Sequence, residues 1–288
     1  MVTIVTDTTA ALPPEVVERF QIPIIPQMIN FGNESYREGI DIDTETFVRK
    51  LRTERVLPKT AAPPPHFFSE LFQRLVPSGE PIVCLHPSCE VSGTVRSAQL
   101  AAAEFPNADI RIIDTRTIAY ALGIIVSLAC EWAEAGESVE TIIARTQQLI
   151  KRSRIYFRVP TLEYLARGGR IGGAAALLGS VLQVKPILTL RDGFIDQYAR
   201  ERTEHHALLR LTRIITEQCP HGDAGMPAMM YDGTLEQREP VEILARTFGS
   251  ALGRVPLPLY GIPPAVITHA GPGVIGIGFF TAESQNAC

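Results

Sequence analysis

Ser92-Gly93-Thr94 is the segment whose residue types and spacing point most directly to chemistry. It follows an apolar run that ends at Leu85, and it opens a stretch with helical spacing. The first N–H groups of a helix have no partner inside it and attract an anion. Gly93 lets a ligand approach the backbone, and the flanking hydroxyls can donate to a carboxylate through charge-assisted bonds. A local reading competes, because serine is a preferred N-cap with or without a ligand. On these residues alone both readings stand.

Other residues offer weaker leads. Thr60 precedes Pro63-Pro64-Pro65 on a connection able to reach the same crevice; taken alone it is an ordinary loop threonine. Arg167-Gly168-Gly169-Arg170 sets two guanidinium groups beside a flexible backbone, which suits carboxylate or phosphate and suits a solvated loop equally well. His269 ends the run Val266-Ile267-Thr268, read here as a strand, and precedes Gly271-Pro272-Gly273. There it either contacts a ligand or sits as a satisfied core histidine. His205 and His206 are adjacent and lack the i, i+4 spacing of a helical metal pair, so no metal and no cofactor are expected. Ser92, His269 and Asp114 have the residue types of a hydrolase triad, which only geometry can identify. The chain has no GxxxxGK[ST] loop, no GxGxxG after its first strand and no GxSxG elbow. Nucleotide hydrolysis, dinucleotide binding and an ordinary α/β-hydrolase are therefore disfavoured.

These residues need a scaffold, and the first half of the chain supplies one by alternating strand and helix patterns. Val2 to Val5, Pro81 to Leu85 and Ile110 to Ile113 are short apolar strands, and Ile22 to Phe31 is a further strand region edged by prolines. Helical spacing covers Pro13 to Phe20, Thr44 to Thr53, His66 to Val76, Ser92 to Phe105, Thr117 to Ala135 and Val139 to Arg152. Pro58 to Pro65 reads as a proline- and alanine-rich connection. Such alternation predicts a mostly parallel sheet flanked by helices. Ligands of open α/β sheets lie outside the carboxyl ends of the strands, which here carry Asp7-Thr8-Thr9, His86-Pro87-Ser88 and Asp114-Thr115. The second half predicts an α+β domain with a hairpin on Asp192-Gly193 and helices over Thr203 to Gln218 and Val241 to Phe248. The expected division is residues 1–153 and 154–288.

Composition narrows the class. The 288 residues carry 27 basic and 31 acidic side chains, a net charge of −4, with none of the basic excess of a nucleic-acid binder. The N-terminus MVTIVTDTTA lacks the basic and apolar regions of a signal peptide. Ala119 to Ala133 is too short and too polar for a span of ~20 apolar residues, so no membrane anchor is expected. The five cysteines form no CxxC pair and no zinc-type array, which fits reduced thiols in a cytoplasmic protein.

Taken in order along the chain, the motifs resemble the DegV family of bacterial fatty-acid-binding proteins. Thr6-Asp7-Thr8-Thr9 is similar to the family's TDSS-type start, and Thr60-Ala61-Ala62-Pro63 stands where it has Thr-Ser-Gln-Pro. Ser88 to Thr94 with Ser97-Ala98 resembles its SSxxSGT…SA segment, and Ile113-Asp114-Thr115 its Asp-Ser strand end. Tyr164 to Ile171 resembles YLxxGGRI, followed by Lys185-Pro186-Ile187-Leu188 and then His269-Ala270-Gly271-Pro272-Gly273. Ala61, Ala62 and Pro64 depart from the family pattern and remove polar groups beside Thr60.

The resemblance implies a non-catalytic lipid carrier that holds a long-chain fatty acid and presents it to a separate fatty acid kinase for phosphorylation. The carboxylate would lie at the domain interface, held by Thr60 and Ser92 with Gly93 and Thr94. Arg170 and His269 would serve the phosphate or the kinase contact, with Arg202 as a partner contact. Phe157, Leu162, Leu165, Leu177, Leu178, Leu182, Ile187, Ile267 and Ile275 are candidates for an acyl-chain tunnel in the second domain, although for most of them plain core is the simpler assignment. Two alternatives remain beside this one: an acyl hydrolase using Ser92 and His269, and a lipid-responsive regulatory protein.

Overall fold

The computed structural model describes residues 1–54, 56–177, 184–254 and 256–282. The chain divides into two compact units: Met1–Ile150 together with Pro263–Thr268, and Lys151–Ile262 together with the described residues from His269 on. The chain thus returns to its first unit late, through a segment that the sequence offers no reason to separate from its neighbours.

The first unit contains β1 (Thr3–Asp7), α1 (Pro14–Phe20), β2 (Ile24–Ile25), β3 (Met28–Phe31), β4 (Glu34–Arg37), α2 (Thr44–Thr53) and β5 (Lys59–Ala61). It continues with α3 (Pro65–Leu75), β6 (Ile82–His86), α4 (Thr94–Ala102), β7 (Ile110–Asp114), α5 (Ala119–Glu134) and α6 (Val139–Arg152), whose last turn passes into the second unit. Strands β2, β1, β6 and β7 form, in that order, a parallel sheet. Every residue of β6 is buried, as expected of a strand covered on both faces. Val5, Ile82 and Cys84 point to one face, where Phe68, Leu71 and Phe72 of α3 and Ala98 and Ala101 of α4 cover them. The 3–4 spacing of the α3 side chains produces that stripe, and each such burial is worth ~1.5–3 kcal/mol. Helix α5 packs against β1 and β6.

The Ile22 to Phe31 region does not make one strand. Ile24–Ile25 pairs with β1, whereas Met28–Phe31 leaves to form a separate antiparallel sheet with β4 and β5. Pro26 lies between the two pieces and has no N–H to continue a ladder. The connection at Pro58 to Pro65 contains a strand that its composition hides: Thr60 of β5 is paired with Ile29 of β3.

The second unit contains β8 (Ser153–Arg158), α7 (Glu163–Arg167), a 3₁₀ turn over Gly172–Leu177, β9 (Lys185–Arg191), β10 (Phe194–Glu201) and α8 (Glu204–Gln218). It ends with β11 (Ala228–Tyr231), α9 (Leu235–Ala251), β12 (Leu259–Gly261), α10 (Pro264–Ala270), which the two units share, and β13 (Ile275–Phe280). Its sheet runs β10-β9-β8-β13-β11-β12 and is antiparallel except at β11–β12. The β9–β10 turn places Asp192 at φ 49° and Gly193 at φ 83°, the two positive values of a type I′ turn. Helices α8 and α9 bury Leu211, Ile214, Ile215, Val241 and Phe248 against Tyr156, Ile187, Ile275 and Ile277.

One expectation is overturned here. Val266-Ile267-Thr268 is helical, within α10, and not a strand. The β-branched side chains favour a strand, but Pro263 and Pro264 set the dihedrals of a helix start. The Ile267 N–H then donates to Pro263 O at 3.0 Å, and the Thr268 hydroxyl to Pro264 O at 3.0 Å.

Candidate functional site

Register in the parallel sheet builds the centre of the first unit. Val5 is opposite Cys84, so two residues further on Asp7 and His86 fall on the same face, at the carboxyl ends of adjacent strands. Both are fully buried, and His86 Nδ1 lies 2.7 Å from Asp7 Oδ2. Asp7 Oδ1 accepts from the Thr9 N–H at 3.0 Å, the Thr9 hydroxyl at 2.7 Å and the Gln27 amide at 2.9 Å. The His86 ring meets Phe68 of α3 edge-on, with centroids 5.3 Å apart. A buried carboxyl group with that many donors is stabilised in place and costly to disturb.

From Asp7 the polar chain runs to the turn singled out in the sequence. Gln27, in the short link between β2 and β3, also donates to Thr94 Oγ1 at 2.9 Å. Thr94 Oγ1 lies 2.8 Å from Ser92 Oγ, which accepts the Thr94 N–H at 3.3 Å. The N-cap position of α4 belongs to Gly93, which offers no side-chain bond, so Ser92 supports the helix start from one residue further out. Thr94 is buried, Ser92 half-buried and Gly93 exposed. A Cβ on Gly93 would lie 3.3 Å from Ala62 Cβ, which places the chain just after β5, and so Thr60, next to this turn. Asp114 accepts from the Arg116 N–H at 2.8 Å. Ser92 hydrogen-bonds to Thr94, and no bond joins it to a histidine among the described residues.

Glu38, just past β4, is the second buried carboxyl group of this unit among the described residues. It accepts from the Thr8 hydroxyl and, at 2.8 Å, from the Ala265 N–H in the first turn of α10. Burial pushes its carboxyl up to about 7; the two hydrogen bonds act against the rise and neighbouring Asp7 adds to it.

In the second unit, close approach at glycines acts beside hydrogen bonding. A Cβ on Gly168 would sit 2.2 Å from His269 Nδ1, and one on Gly271 would enter the Tyr164 ring at 2.5 Å. The glycines of the Arg167–Arg170 and His269–Gly273 motifs are what let the two segments touch. Arg170 donates to Gly168 O at 2.7 Å. His269 is held down to about 4, first by burial and second by the Arg170 charge, and is therefore neutral at pH 7. Asp232 secures the far side of the glycine turn by accepting from the Gly273 N–H at 2.7 Å and the Thr234 hydroxyl at 2.7 Å. A Cβ on Gly172, at φ 50°, would sit 2.1 Å from Ile195 O, so the Gly172–Leu177 turn rests directly on β10.

The apolar candidates separate. Ile187 and Ile275 belong to the core under α8 and α9. Phe157 lies on the opposite face of the sheet, in register with Leu188 and with Gly276, which is paired in turn with Met230. Leu165 and Leu177 are buried and Leu162 is half-buried. Ile267 is buried in the part of α10 that belongs to the first unit. Leu178 and Leu182 lie outside the described residues. Arg202 is exposed, just ahead of Thr203, the N-cap of α8.

Gln27, Glu38 and Asp232 carry no motif in the sequence that marks them. Each is polar and buried, and their side chains bond to groups up to 67 residues away for Gln27, 227 for Glu38 and 41 for Asp232, beyond any local pattern. Among the described residues no group of three or more His, Cys, Asp or Glu is arranged to hold a metal, and no helix is long and apolar enough to cross a membrane.

Fold and site together define a mixed α/β protein in which a parallel sheet presents a hydroxyl-bearing turn at its carboxyl edge. Its family follows from direct comparison. The family model described as "Uncharacterised protein, DegV family" matches residues 1–282, and the chain belongs to that family. A DegV domain-containing protein of Streptomyces coelicolor is 37% identical over 278 residues, covering 96% of this chain and 97% of its own. Among solved structures, a DegV family protein from Thermus thermophilus, described by its fatty acid binding, is 30% identical with a TM-score of 0.85, covering 98% of this chain and 99% of its own. A stearic acid-binding protein from Eubacterium ventriosum is 27% identical with a TM-score of 0.86, covering 98% of each chain.

Proposed function

We propose that this protein is a non-catalytic carrier of a long-chain fatty acid. The carboxylate is gripped by the Ser92 hydroxyl, with Thr60, Thr94 and the Gly93 backbone beside it, and the acyl chain is taken up by apolar residues of the second unit. The observation that carries this reading is the half-buried Ser92 hydroxyl at the end of a buried hydrogen-bond chain that starts at Asp7. It is supported by the fatty acid binding described for the relatives from Thermus thermophilus and Eubacterium ventriosum. Burial of the tail supplies most of the affinity, at ~0.8 kcal/mol per CH₂, and the polar head sets orientation. Ser92 is engaged with Thr94 rather than with a general base, which favours a grip over a nucleophile. On this reading Arg170, Arg202 and His269 serve the step in which a partner fatty acid kinase phosphorylates the bound acid.

The test is direct. Protein denatured after purification releases a fatty acid detectable by mass spectrometry, and Ser92→Ala weakens binding of added fatty acid by about tenfold. Failure to recover or take up any fatty acid, with protein from several hosts, defeats the proposal. Adding a fatty acid kinase and ATP then produces acyl phosphate only when this protein is present.

A further inference from the structure

We propose that Gln27 is a positioning residue that sets the direction of the Ser92 hydroxyl, so that Ser92 presents a proton and never a lone pair to its ligand. The inference rests on the carboxylate-grip reading of Ser92 and specifies the chemical class it accepts: an ionised head group, in preference to a neutral one of the same chain length.

The direction follows from donor and acceptor inventory. Asp7 Oδ1 already accepts from the Thr9 backbone N–H and has only lone pairs to offer Gln27. The Gln27 side chain must therefore turn its NH₂, and not its carbonyl, toward Asp7. Its second amide hydrogen is then aimed at Thr94 Oγ1, 2.9 Å away. Thr94 Oγ1 accepts there and, being fully buried, needs an acceptor for its own hydrogen, which Ser92 Oγ at 2.8 Å supplies. Ser92 Oγ also accepts the Thr94 N–H, so both of its lone pairs are occupied and its own hydrogen is left for the outside. Gln27 and Thr94 are buried, so water does not scramble this order, and each bond in the series polarises the next. A donor of this kind gains most from a charged acceptor.

Gln27→Met keeps the side-chain length and removes both donors. The experiment measures dissociation constants for dodecanoate and for dodecanol on wild type, Gln27→Met, Thr94→Val, the double variant and Ser92→Ala. The expected result is about a tenfold loss for dodecanoate and less than about twofold for dodecanol in Gln27→Met, with no further loss in the double variant relative to Thr94→Val. Equal weakening of both ligands would mean that Gln27 only supports the fold, and overturns the proposal. Wild-type dodecanoate binding by Gln27→Met, alongside a loss in Ser92→Ala, overturns the relay and leaves the carboxylate grip standing. Wild-type binding by Ser92→Ala removes both together. If Gln27→Met fails to fold, Thr94→Val carries the same comparison, because it interrupts the same series one bond later.

Discussion

The polar turn of the first unit and the glycine-lined segments of the second are positioned by opposite means. Around Ser92, side chains reach each other through hydrogen bonds, from Asp7 through Gln27 and Thr94. Around His269, segments touch because side chains are missing: Gly168 and Gly271 leave the volume that His269 and Tyr164 occupy. A hydrogen-bonded site tolerates small displacements as long as its donors and acceptors stay matched. An atom added to a site made by close approach forces its neighbours to shift, at a cost of about 1–3 kcal/mol. The two regions should therefore fail differently when perturbed.

The largest expected effect is at Gly172. Its positive φ of 50° and the 2.1 Å separation of an added Cβ from Ile195 O put a methyl group against backbone that cannot rotate away. Gly172→Ala should cost about 3 kcal/mol or more and release the Gly172–Leu177 turn from β10. Urea denaturation gives the first number, and hydrogen exchange along β10 the second. A loss under about 1 kcal/mol would show that the turn does not rest on the hairpin as described.

The same contrast explains what was legible in the sequence. The Asp192-Gly193 hairpin, the buried strand β6, the short apolar strand β7 and the alternation of strand and helix in the first half are local patterns, and the structure has all of them. The glycine motifs were visible as motifs, but their reason lay elsewhere: Gly168 is small because His269, a hundred residues later, occupies its side-chain volume. Thr60 looked like a loop residue because β5 is only three residues long and shows no alternation. Val266 to Thr268 looked like a strand because intrinsic preference for β-branched residues outweighs, in a short window, the helix start supplied by Pro263 and Pro264. Asp7 and His86 were visible only as strand ends. Their pairing depends on sheet register across 79 residues, which no local pattern records.

The next effect separates the regions by pH. Glu38 titrates near 7 in the folded protein against an ordinary 4.5, so the folded state keeps a proton that the unfolded state has lost. Its contribution to stability is complete below about 4.5 and falls by about 3 kcal/mol as pH rises to about 7. His269 has the reverse sign. Held near 4 against an ordinary 6.5, it binds its proton later than the unfolded chain does, so its contribution is present above 6.5 and is lost, by a similar amount, as pH falls toward 4. Between pH 4.5 and 6.5 the two slopes oppose one another. Relative to wild type, Glu38→Gln should tilt stability upward with rising pH, and His269→Gln should tilt it downward. Urea midpoints taken across this window measure both, and parallel curves for the two variants would contradict the assignment.

The smallest stability effect is at Gly93, and it sharpens the comparison most. Unlike Gly172, Gly93 has an ordinary φ of −77°, and an added Cβ would meet only the Ala62 methyl group at 3.3 Å. The fold does not require glycine there. A methyl group at that position restricts the unfolded chain, worth ~0.4–1 kcal/mol in favour of folding, and the tight contact with Ala62 offsets part of that gain. Gly93→Ala should therefore unfold within about 1 kcal/mol of wild type. Yet Gly93 is exposed beside Ser92, where the proposed carboxylate must come close to the backbone. The expected outcome is a protein of unchanged stability with weakened fatty acid binding, read by denaturation and by titration on one preparation. Loss of stability would place Gly93 with the glycines of the second unit, which serve packing. Unchanged binding would remove the backbone at Gly93 from the head-group contacts and leave the Ser92 and Thr60 hydroxyls to act alone.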